Sequence, residues 1–275
     1  MDEKCFEIEN SKNENYVGED GLLHCGVCKE PIEAYFPEKV REIFCKDRHP
    51  TLCACKKKRI EAEEQRQREQ NHKYTVERLK TNCFPYRAFL DSTFENSIFE
   101  NKQMMYCQNY VKHWNEMKQL NIGLLFWGDV GIGKTYLAAC IANALMEQEV
   151  SVKMINFSYV LNTGFEEKNR LIDSLNDYGL LIIDDFGSER GTEYGLETIH
   201  SVLDARFNSK KPMIVTTNLS LKMLQNPEDE MHKKIYDRLK HCIPVQFTGE
   251  SIRKQEGKIK MEEFKRILLQ DRESL

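Results

Sequence analysis

The chain has 275 residues, of which 40% are hydrophobic and 31% are charged, and its formal net charge is −4. This length accommodates one ordinary domain plus a smaller module, and the composition is that of a soluble globular protein, not a fibrous or disordered one. No apolar run approaches the roughly 18 residues that span a bilayer, and the small negative charge excludes a protein that binds nucleic acid through bulk positive charge.

The first segment, residues 1–22, is polar and acidic, and we expect a flexible tail there. It opens with MDEKCFEIEN, which lacks the basic and apolar regions of a secretory signal peptide. We therefore expect a cytoplasmic protein, in which cysteines stay reduced or bind metal.

The next segment, residues 23–58, holds five of the ten cysteines. A C-x₂-C pair is the commonest half of a structural zinc site, and a C-x-C pair follows it. Four thiolates around Zn²⁺ would supply the folding energy that so small a core lacks, so we predict a zinc module. The alternative is a set of reduced, partly buried thiols. The candidate ligands are Cys25, Cys28, Cys53 and Cys55, with Cys45 and His49 as alternates.

Residues 59–82 are rich in strong helix formers and have few apolar positions. This pattern predicts a solvated helix that links two domains. The basic run KKKR, residues 56–59, directly follows the last cysteine pair and either offsets the charge of a four-thiolate site or contacts phosphates or an acidic partner.

From residue 83 to residue 255, short apolar runs alternate with longer segments of helical spacing. The runs are aliphatic and do not alternate with polar residues, which is typical of strands buried on both faces. We predict an α/β fold with a parallel five-stranded sheet and helices on both faces, followed by a charged helical tail at 256–275. The predicted strands are Gly123–Trp127, Val152–Phe157, Leu180–Asp184, Met213–Thr217 and Pro244–Phe247.

The first of these strands runs into a G-x-x-x-x-G-K-T motif, and an amphipathic helix follows. Such a loop turns backbone N–H groups around phosphates at the positive end of the helix dipole. We expect Lys134 to reach the β- and γ-phosphates and the Thr135 hydroxyl to hold Mg²⁺; the alternative is a glycine-rich turn without a ligand. The predicted phosphate-binding residues are Gly128, Asp129, Val130, Gly131, Ile132, Gly133, Lys134, Thr135 and Tyr136.

Two adjacent carboxylates stand at the end of a predicted strand. Asp184 is the last residue of the run LLIID, and Asp185 follows it directly. They would be costly there without a cation or water to face. We predict that Asp184 completes the Mg²⁺ shell through water and that Asp185 orients or deprotonates the attacking water; the alternative is a helix cap before a turn. With the phosphate loop they predict a nucleoside triphosphatase, and the lack of an Asn-Lys-x-Asp segment favours ATP over GTP.

Three further polar residues are candidates for the site: Asn218 and Arg253 come after predicted strands, and Arg238 lies on a predicted helix. The Asn218 amide is placed to position water near the γ-phosphate, and Arg253 to sense the phosphates from within the same chain. Arg238 lies on a helical segment from which an arginine can reach the γ-phosphate of a neighbouring subunit. The alternatives are a turn asparagine and exposed arginines, with Arg238 paired to Asp237 or Glu230.

In this order the parts resemble the AAA+ ATPases, and most closely the bacterial and phage replicative-helicase loaders of the DnaC/DnaI kind. The resembling stretches lie within roughly residues 84–254 and include FEN, the phosphate loop, LLIIDDFGSERGTEY, MIVTTNLS, IYDRL and FTGESIR. The resemblance implies that Asn218 is sensor 1, Arg238 the arginine finger and Arg253 sensor 2. Asp185 departs from the Glu usual in the wider class, although a second Asp looks normal for this subfamily.

The resemblance implies an ATP-dependent loader of the replicative hexameric helicase. ATP would assemble it into an arc or ring that engages single-stranded DNA, and the N-terminal zinc module would hold the helicase. One alternative is a transposition helper ATPase of the IstB kind, which would bind duplex DNA and a transposase. Another is an adaptor that binds ATP without hydrolysing it. We expect no interaction with a membrane.

Overall fold

The computed structural model describes residues 14–97, 102–188, 192–227, 229–249 and 251–270. The chain divides into two compact units, Met1–Lys73 and Tyr74–Leu275. No helix in these described ranges is both long enough and apolar enough to cross a membrane.

In its described part, residues 14–73, the first unit contains two short antiparallel strand pairs, one short helix and the start of a long helix. Among its described residues only Cys25 and Cys53 are buried, so apolar packing contributes little to its stability. Its elements are β1 (Tyr16–Val17) paired with β2 (Leu23–His24), β3 (Glu33–Tyr35), α1 (Glu38–Phe44), and β4 (Arg48–Pro50), which pairs with β3.

A long helix, α2 (Ala54–Cys83), begins in the first unit and ends in the second. Its residues are mostly Glu, Gln, Lys and Arg, which have high helix propensity. One turn apart, Gln65 donates to Glu69 at 2.7 Å, a contact that supports an exposed helix. Only Val76 and Cys83, near its C-terminal end, are buried.

The second unit is built on a parallel sheet of five strands in the order β6-β7-β8-β5-β9, counted over the described residues. This confirms the predicted α/β class, and every observed neighbour pair is parallel. The strands are β5 (Gly123–Trp127), β6 (Val152–Asn156), β7 (Leu180–Phe186), β8 (Met213–Thr217) and β9 (Cys242–Gln246).

Helices cover both faces of this sheet, as predicted. Successive strand residues point to opposite faces, so that Phe126 joins one core cluster and Leu125 the other. The helices are α3 (Lys102–Lys112), α4 (Trp114–Gln119), α5 (Lys134–Met146), α6 (Phe157–Asn162), α7 (Phe165–Leu175), α8 (Glu193–Asn208), α9 (Leu221–Gln225), α10 (Glu230–Leu239) and α11 (Ile252–Gln270), with a short 3₁₀ turn at Arg87–Asp91. The first cluster includes side chains of α3 and α5, and the second includes side chains of α6, α7, α8 and α10.

Four strand ends differ from the prediction, and one of them is the end of β9, at Gln246 instead of Phe247. β6 stops before Phe157 because the Asn156 side chain accepts the amide of Tyr159 at 2.9 Å and so caps α6. β7 continues two residues past Asp184, and β9 starts at Cys242, two residues before the predicted Pro244.

Arg206 is completely buried in the second unit. Its guanidinium donates to the carbonyl oxygens of Tyr178 at 2.9 Å, Gly179 at 3.0 Å and Pro212 at 2.6 Å. Burial lowers the pKa of Arg206 to about 10. Because these carbonyls immediately precede β7 and β8, Arg206 fixes the starts of the two strands whose opposite ends carry the predicted carboxylates.

Candidate nucleotide site

A cavity of about 500 Å³ lies where β5, β7 and β8 end. The carboxyl ends of parallel strands share one edge of a sheet, which is where such folds bind ligands. The structure brings most of the predicted phosphate-site residues to this cavity. Those that line it are Val130, Gly131, Gly133, Lys134, Thr135, Tyr136, Asp184, Asp185 and Asn218.

The phosphate loop depends on its glycines for shape. Gly128 has φ +138°, and a Cβ there would lie 2.3 Å from the carbonyl oxygen of Phe247. Only glycine tolerates both the conformation and the contact. At the other end of the loop α5 begins at Lys134, so its first amides lack helical acceptors and suit an anion.

The loop is braced by the C-terminal part of the chain. The amide of Phe247 donates to the carbonyl of Trp127 at 2.8 Å, and the amide of Ile252 donates to the carbonyl of Gly131 at 2.8 Å. The start of α11 is therefore hydrogen-bonded to the middle of the phosphate loop.

Lys134 is almost fully buried at the base of the cavity, 7% exposed. Its Nζ donates to the carbonyls of Gly128 at 2.7 Å and Asp129 at 2.6 Å and to Asn218 Oδ1 at 2.9 Å. These oxygens solvate the ammonium, which places a positive charge beside the loop that curves around the cavity.

Asp184 receives hydrogen bonds from two hydroxyl groups. Thr135 Oγ1 donates to Asp184 Oδ1 at 2.8 Å and Thr216 Oγ1 donates to the same oxygen at 2.7 Å. Burial raises the pKa of Asp184, and the two hydroxyl donors oppose that rise. A carboxylate oxygen next to a hydroxyl is the ligand chemistry that Mg²⁺ prefers, so Thr135 and Asp184 fit a magnesium site.

Asp185 has a left-handed backbone, φ +56°, and its side chain is exposed. The Asn218 amide donates to Asp185 Oδ1 at 2.9 Å. Since Asn218 also accepts from Lys134, one side-chain amide links the buried cation to the exposed carboxylate.

Five residues at the cavity were not predicted as site residues, and one of them is Ile252 at the start of α11. Thr216 could have been recognised as a hydroxyl in an otherwise aliphatic strand, two residues before Asn218. Tyr86 and Phe89, with ring centroids 6.1 Å apart, and Asn96 also line the cavity. Aromatic side chains offer the flat apolar surface on which a planar base stacks, and the signal for them was the aromatic-rich run FPYRAF, residues 84–89.

Arg238 does not line this cavity. Its Nε donates to Asp204 at 2.8 Å, its Nη1 donates to Asp237 at 3.3 Å, and its guanidinium lies 4.8 Å from the Phe207 ring centre. The pairing with Asp237 was one of the stated alternatives, whereas Asp204 was not foreseen. Arg253 lies in the first turn of α11, and its side chain is outside the described part of the structure.

The first unit brings the four predicted zinc ligands together. The Sγ atoms of Cys25, Cys28, Cys53 and Cys55 all lie within 4.8 Å of one another. A tetrahedral Zn²⁺ with Zn–S bonds of about 2.3 Å needs sulfur atoms about 3.8 Å apart, so the cluster fits this ion.

Backbone N–H groups lower the pKa of Cys25 and Cys28 and so favour their thiolates, whereas the neighbouring thiols raise the pKa of Cys55. Hydrogen bonds from the amides of Cys28 and Val27 lower the pKa of Cys25 to about 6.

Of the alternates, Cys45 is an exposed residue at the end of α1, and His49 packs against Phe36 with ring centres 4.7 Å apart. Neither belongs to the four-residue group found among the described residues.

The sequence matches the family model described as IstB-like ATP binding protein over residues 58–260. Among curated proteins, the replicative helicase loader DnaI of Bacillus subtilis is 26% identical over 269 residues, covering 90% of this chain and 80% of DnaI. The replicative helicase loader DnaC of Escherichia coli is 28% identical, covering 58% of this chain and 69% of DnaC. The insertion sequence IS232 putative ATP-binding protein of Bacillus thuringiensis is 31% identical, covering 68% of this chain and 75% of that protein.

Two solved structures share the fold. A crystal structure of DnaI aligns with a TM-score of 0.52 at 20% identity, covering 63% of this chain and 98% of that structure. The structure of AMPPCP-bound DnaA from Aquifex aeolicus aligns with a TM-score of 0.54 at 16% identity, covering 67% and 69%. The family model spans the phosphate loop, both aspartates and Asn218, and the chain belongs to the IstB-like ATP binding proteins, with the helicase loaders DnaI and DnaC among its relatives.

Proposed function

We propose that this protein binds and hydrolyses ATP at the cavity that lies where β5, β7 and β8 end. Lys134 and the first amides of α5 hold the phosphates, and Thr135 and Asp184 hold Mg²⁺, which supplies positive charge next to the phosphate oxygens. The support is the number of complementary groups at one cavity: a buried ammonium, a hydroxyl–carboxylate pair and the amides at a helix start.

In this proposal Asp185 and Asn218 act on water at the γ-phosphate. Asp185 is exposed and accepts from Asn218, so its carboxylate is oriented but open to solvent. A carboxylate in this position accepts a proton from water or fixes its orientation. Tyr86 and Phe89 give the base an aromatic surface.

Arg238 is the proposed arginine finger, supplied to the site of a neighbouring subunit in an ATP-dependent arc or ring. Because two carboxylates and an aromatic ring already surround its guanidinium, the side chain is held in one orientation. Arg253, at the start of the helix bonded to Gly131, is proposed to sense the phosphates within its own chain.

We further propose that the ATPase loads the replicative hexameric helicase onto single-stranded DNA. The observation that carries this is the extent of the DnaI match, which covers 90% of the chain and so must include most of the unit Met1–Lys73. The insertion-sequence relative covers 68%, a share that the second unit can supply by itself. We assign the zinc module, residues 23–58, to holding the helicase, residues 59–82 to the linker and residues 83–255 to the ATPase.

A second candidate is a transposition helper ATPase that acts on duplex DNA with a transposase. The observation in its favour is the 31% identity to the IS232 putative ATP-binding protein, the highest among the relatives described above. The family model itself takes its description from such proteins.

Co-elution from a sizing column tests the two candidates. The full chain is mixed with the replicative helicase of its host, with and without ATP, and compared with Cys28→Ser and with Cys45→Ser, an exposed cysteine outside the cluster. We expect a complex for the wild type and Cys45→Ser and its loss for Cys28→Ser. Zinc measured by mass spectrometry should be one ion per chain in the two proteins that form the complex.

A loading assay then separates binding from function. The helicase is offered single-stranded DNA coated with single-strand binding protein, and strand separation is measured with wild type or Lys134→Ala. We expect Lys134→Ala to hold the helicase and fail to load it. Absence of any helicase complex together with tight duplex-DNA binding would contradict the loader proposal and support the transposition helper.

A further inference from the structure

The hydroxyl of Thr216 contacts both residues of the carboxylate pair. Thr216 lies on β8 and is 1% exposed. Its Oγ1 donates to Asp184 Oδ1 at 2.7 Å and accepts the backbone N–H of Asp185 at 2.9 Å. A hydroxyl has one proton to donate and two lone pairs, so both bonds form at once.

The second of these bonds replaces one that the sheet has lost. Between β7 and β8, Ile183 is opposite Val215 and Phe186 is opposite Thr217. Two residues, Asp184 and Asp185, therefore lie opposite the single residue Thr216, which is a β-bulge. A bulge leaves a backbone amide without a ladder partner, and here the side chain of Thr216 supplies the acceptor.

The bulge also determines where the two carboxylates point. Asp184 stays part-buried against two hydroxyls, whereas Asp185 adopts φ +56° and is exposed to the cavity. A non-glycine residue with positive φ carries a free-energy cost, and it persists only where its surroundings fix it. The amide bond to Thr216 is such a fixation, and it is made by the same atom that orients Asp184.

We propose that Thr216 is a positioning residue for ATP hydrolysis, a single hydroxyl that holds the inward Asp184 and the outward Asp185 in their two different orientations. This inference rests on the proposed ATPase activity and deepens it. Thr216 acts through the two aspartates, and its loss should lower the turnover of bound ATP more than the affinity for ATP.

Three variants isolate the hydroxyl. Thr216→Val keeps the shape and removes the hydroxyl, Thr216→Ser keeps the hydroxyl and removes a methyl, and Thr216→Ala removes both. Ser and Ala share the same lost methyl and differ only in the hydroxyl, so their comparison holds if Val disturbs the fold. Thr198→Val is the matched control, since Thr198 is buried, its hydroxyl donates to the carbonyl of Tyr194 within α8, and it does not line the cavity.

Steady-state hydrolysis and binding of a fluorescent ATP analogue are measured for each variant with Mg²⁺, with and without single-stranded DNA. We expect kcat to fall about 10- to 100-fold in Thr216→Val and Thr216→Ala, as when an outer-shell partner is removed. The Kd of the analogue should stay within about threefold, and Thr216→Ser and Thr198→Val should retain wild-type kcat, with thermal midpoints recorded for all.

Equal kcat for Thr216→Val and wild type, or equal losses in Thr216→Ser and Thr216→Ala, would overturn the positioning role and leave the ATPase proposal intact. Parallel losses of kcat and analogue binding would also overturn it, because they would show a general collapse of the site. A wild-type protein that binds the analogue but hydrolyses no ATP in any condition contradicts the proposed activity itself, and the inference with it.

Discussion

At the scale of single residues, hydrogen bonds join five polar residues of the cavity in sequence. Lys134 contacts Asn218, Asn218 contacts Asp185, and Thr216 connects Asp185 to Asp184. Removing one member therefore changes the orientation of the next. The two charged side chains Lys134 and Asp185 should still contribute differently, Lys134 to the affinity for ATP and Asp185 to the rate of hydrolysis.

Lys134→Ala should abolish the charge at the phosphate loop. A hydrogen bond to a charged group contributes about 1.5–3 kcal/mol, so the Kd for ATP should rise roughly 10- to 100-fold, measured by calorimetry. Lys211→Ala is the control, because Lys211 also donates to a backbone carbonyl, that of Asn176 at 2.7 Å, but lies away from the cavity. Unchanged affinity in Lys134→Ala would contradict the assignment of the phosphate site.

Asp185→Asn should separate binding from hydrolysis. The amide keeps an oxygen for Asn218 but cannot accept a proton from water, and loss of a general base typically costs about 10²- to 10⁴-fold in rate. We expect kcat to fall in this range while the Kd for ATP changes less than about threefold. A kcat within about threefold of wild type would assign the base to another group.

At the scale of elements, the sheet was the most predictable part of the molecule. Both ends of β5 and of β8 were predicted correctly, because β5 starts at Gly123 and stops before Gly128, and β8 lies between Pro212 and Asn218. The site was predictable only where a linear motif carries it. The role of Thr216 arises from a register shift against another strand, and the aromatic wall at Tyr86 meets the phosphate loop only in the folded chain.

Two glycines test the packing of elements against each other. A Cβ at Gly123 in β5 would lie 2.3 Å from the carbonyl oxygen of Met213 in β8, whereas a Cβ at Gly257 in α11 meets nothing within 4 Å. Gly123→Ala should therefore destabilise the fold by about 1–3 kcal/mol. Gly257→Ala should stabilise it by about 0.5–1 kcal/mol through helix propensity.

Urea unfolding monitored by circular dichroism measures both glycine variants. A Gly123→Ala protein as stable as wild type would contradict the close approach of β5 and β8. A destabilised Gly257→Ala protein would mean that α11 packs against a surface at that position.

At the scale of the whole molecule, the two units are stabilised by different means. The second unit has two extended apolar clusters on the faces of its sheet. The first has, among its described residues, Cys25 and Cys53 as its buried side chains, and both belong to the thiol cluster. The stability of the first unit should therefore depend on metal, and that of the second should not.

Chelation tests this difference within one protein. Both tryptophans of the chain, Trp114 and Trp127, lie in the second unit, so their fluorescence reports its unfolding. A zinc chelator should leave the fluorescence melting curve unchanged while limited proteolysis begins to cut between residues 14 and 58. Zinc added back to the chelated protein should restore protection, and equal protection with and without metal would contradict a structural zinc ion.

The brace between the phosphate loop and the C-terminal helix has a consequence for how the motif is understood. Gly128 leaves space for the backbone at Phe247, and Gly131 accepts the amide of Ile252, so the loop is closed by residues more than a hundred positions further along the chain. A fragment that stops after β9 would retain every residue of the motif but lose the contacts with Phe247 and Ile252 that hold the loop in shape. The proposed phosphate binding would thus depend on Phe247 and Ile252 as well as on the motif, because the loop is held in shape only when the start of α11 has folded onto it.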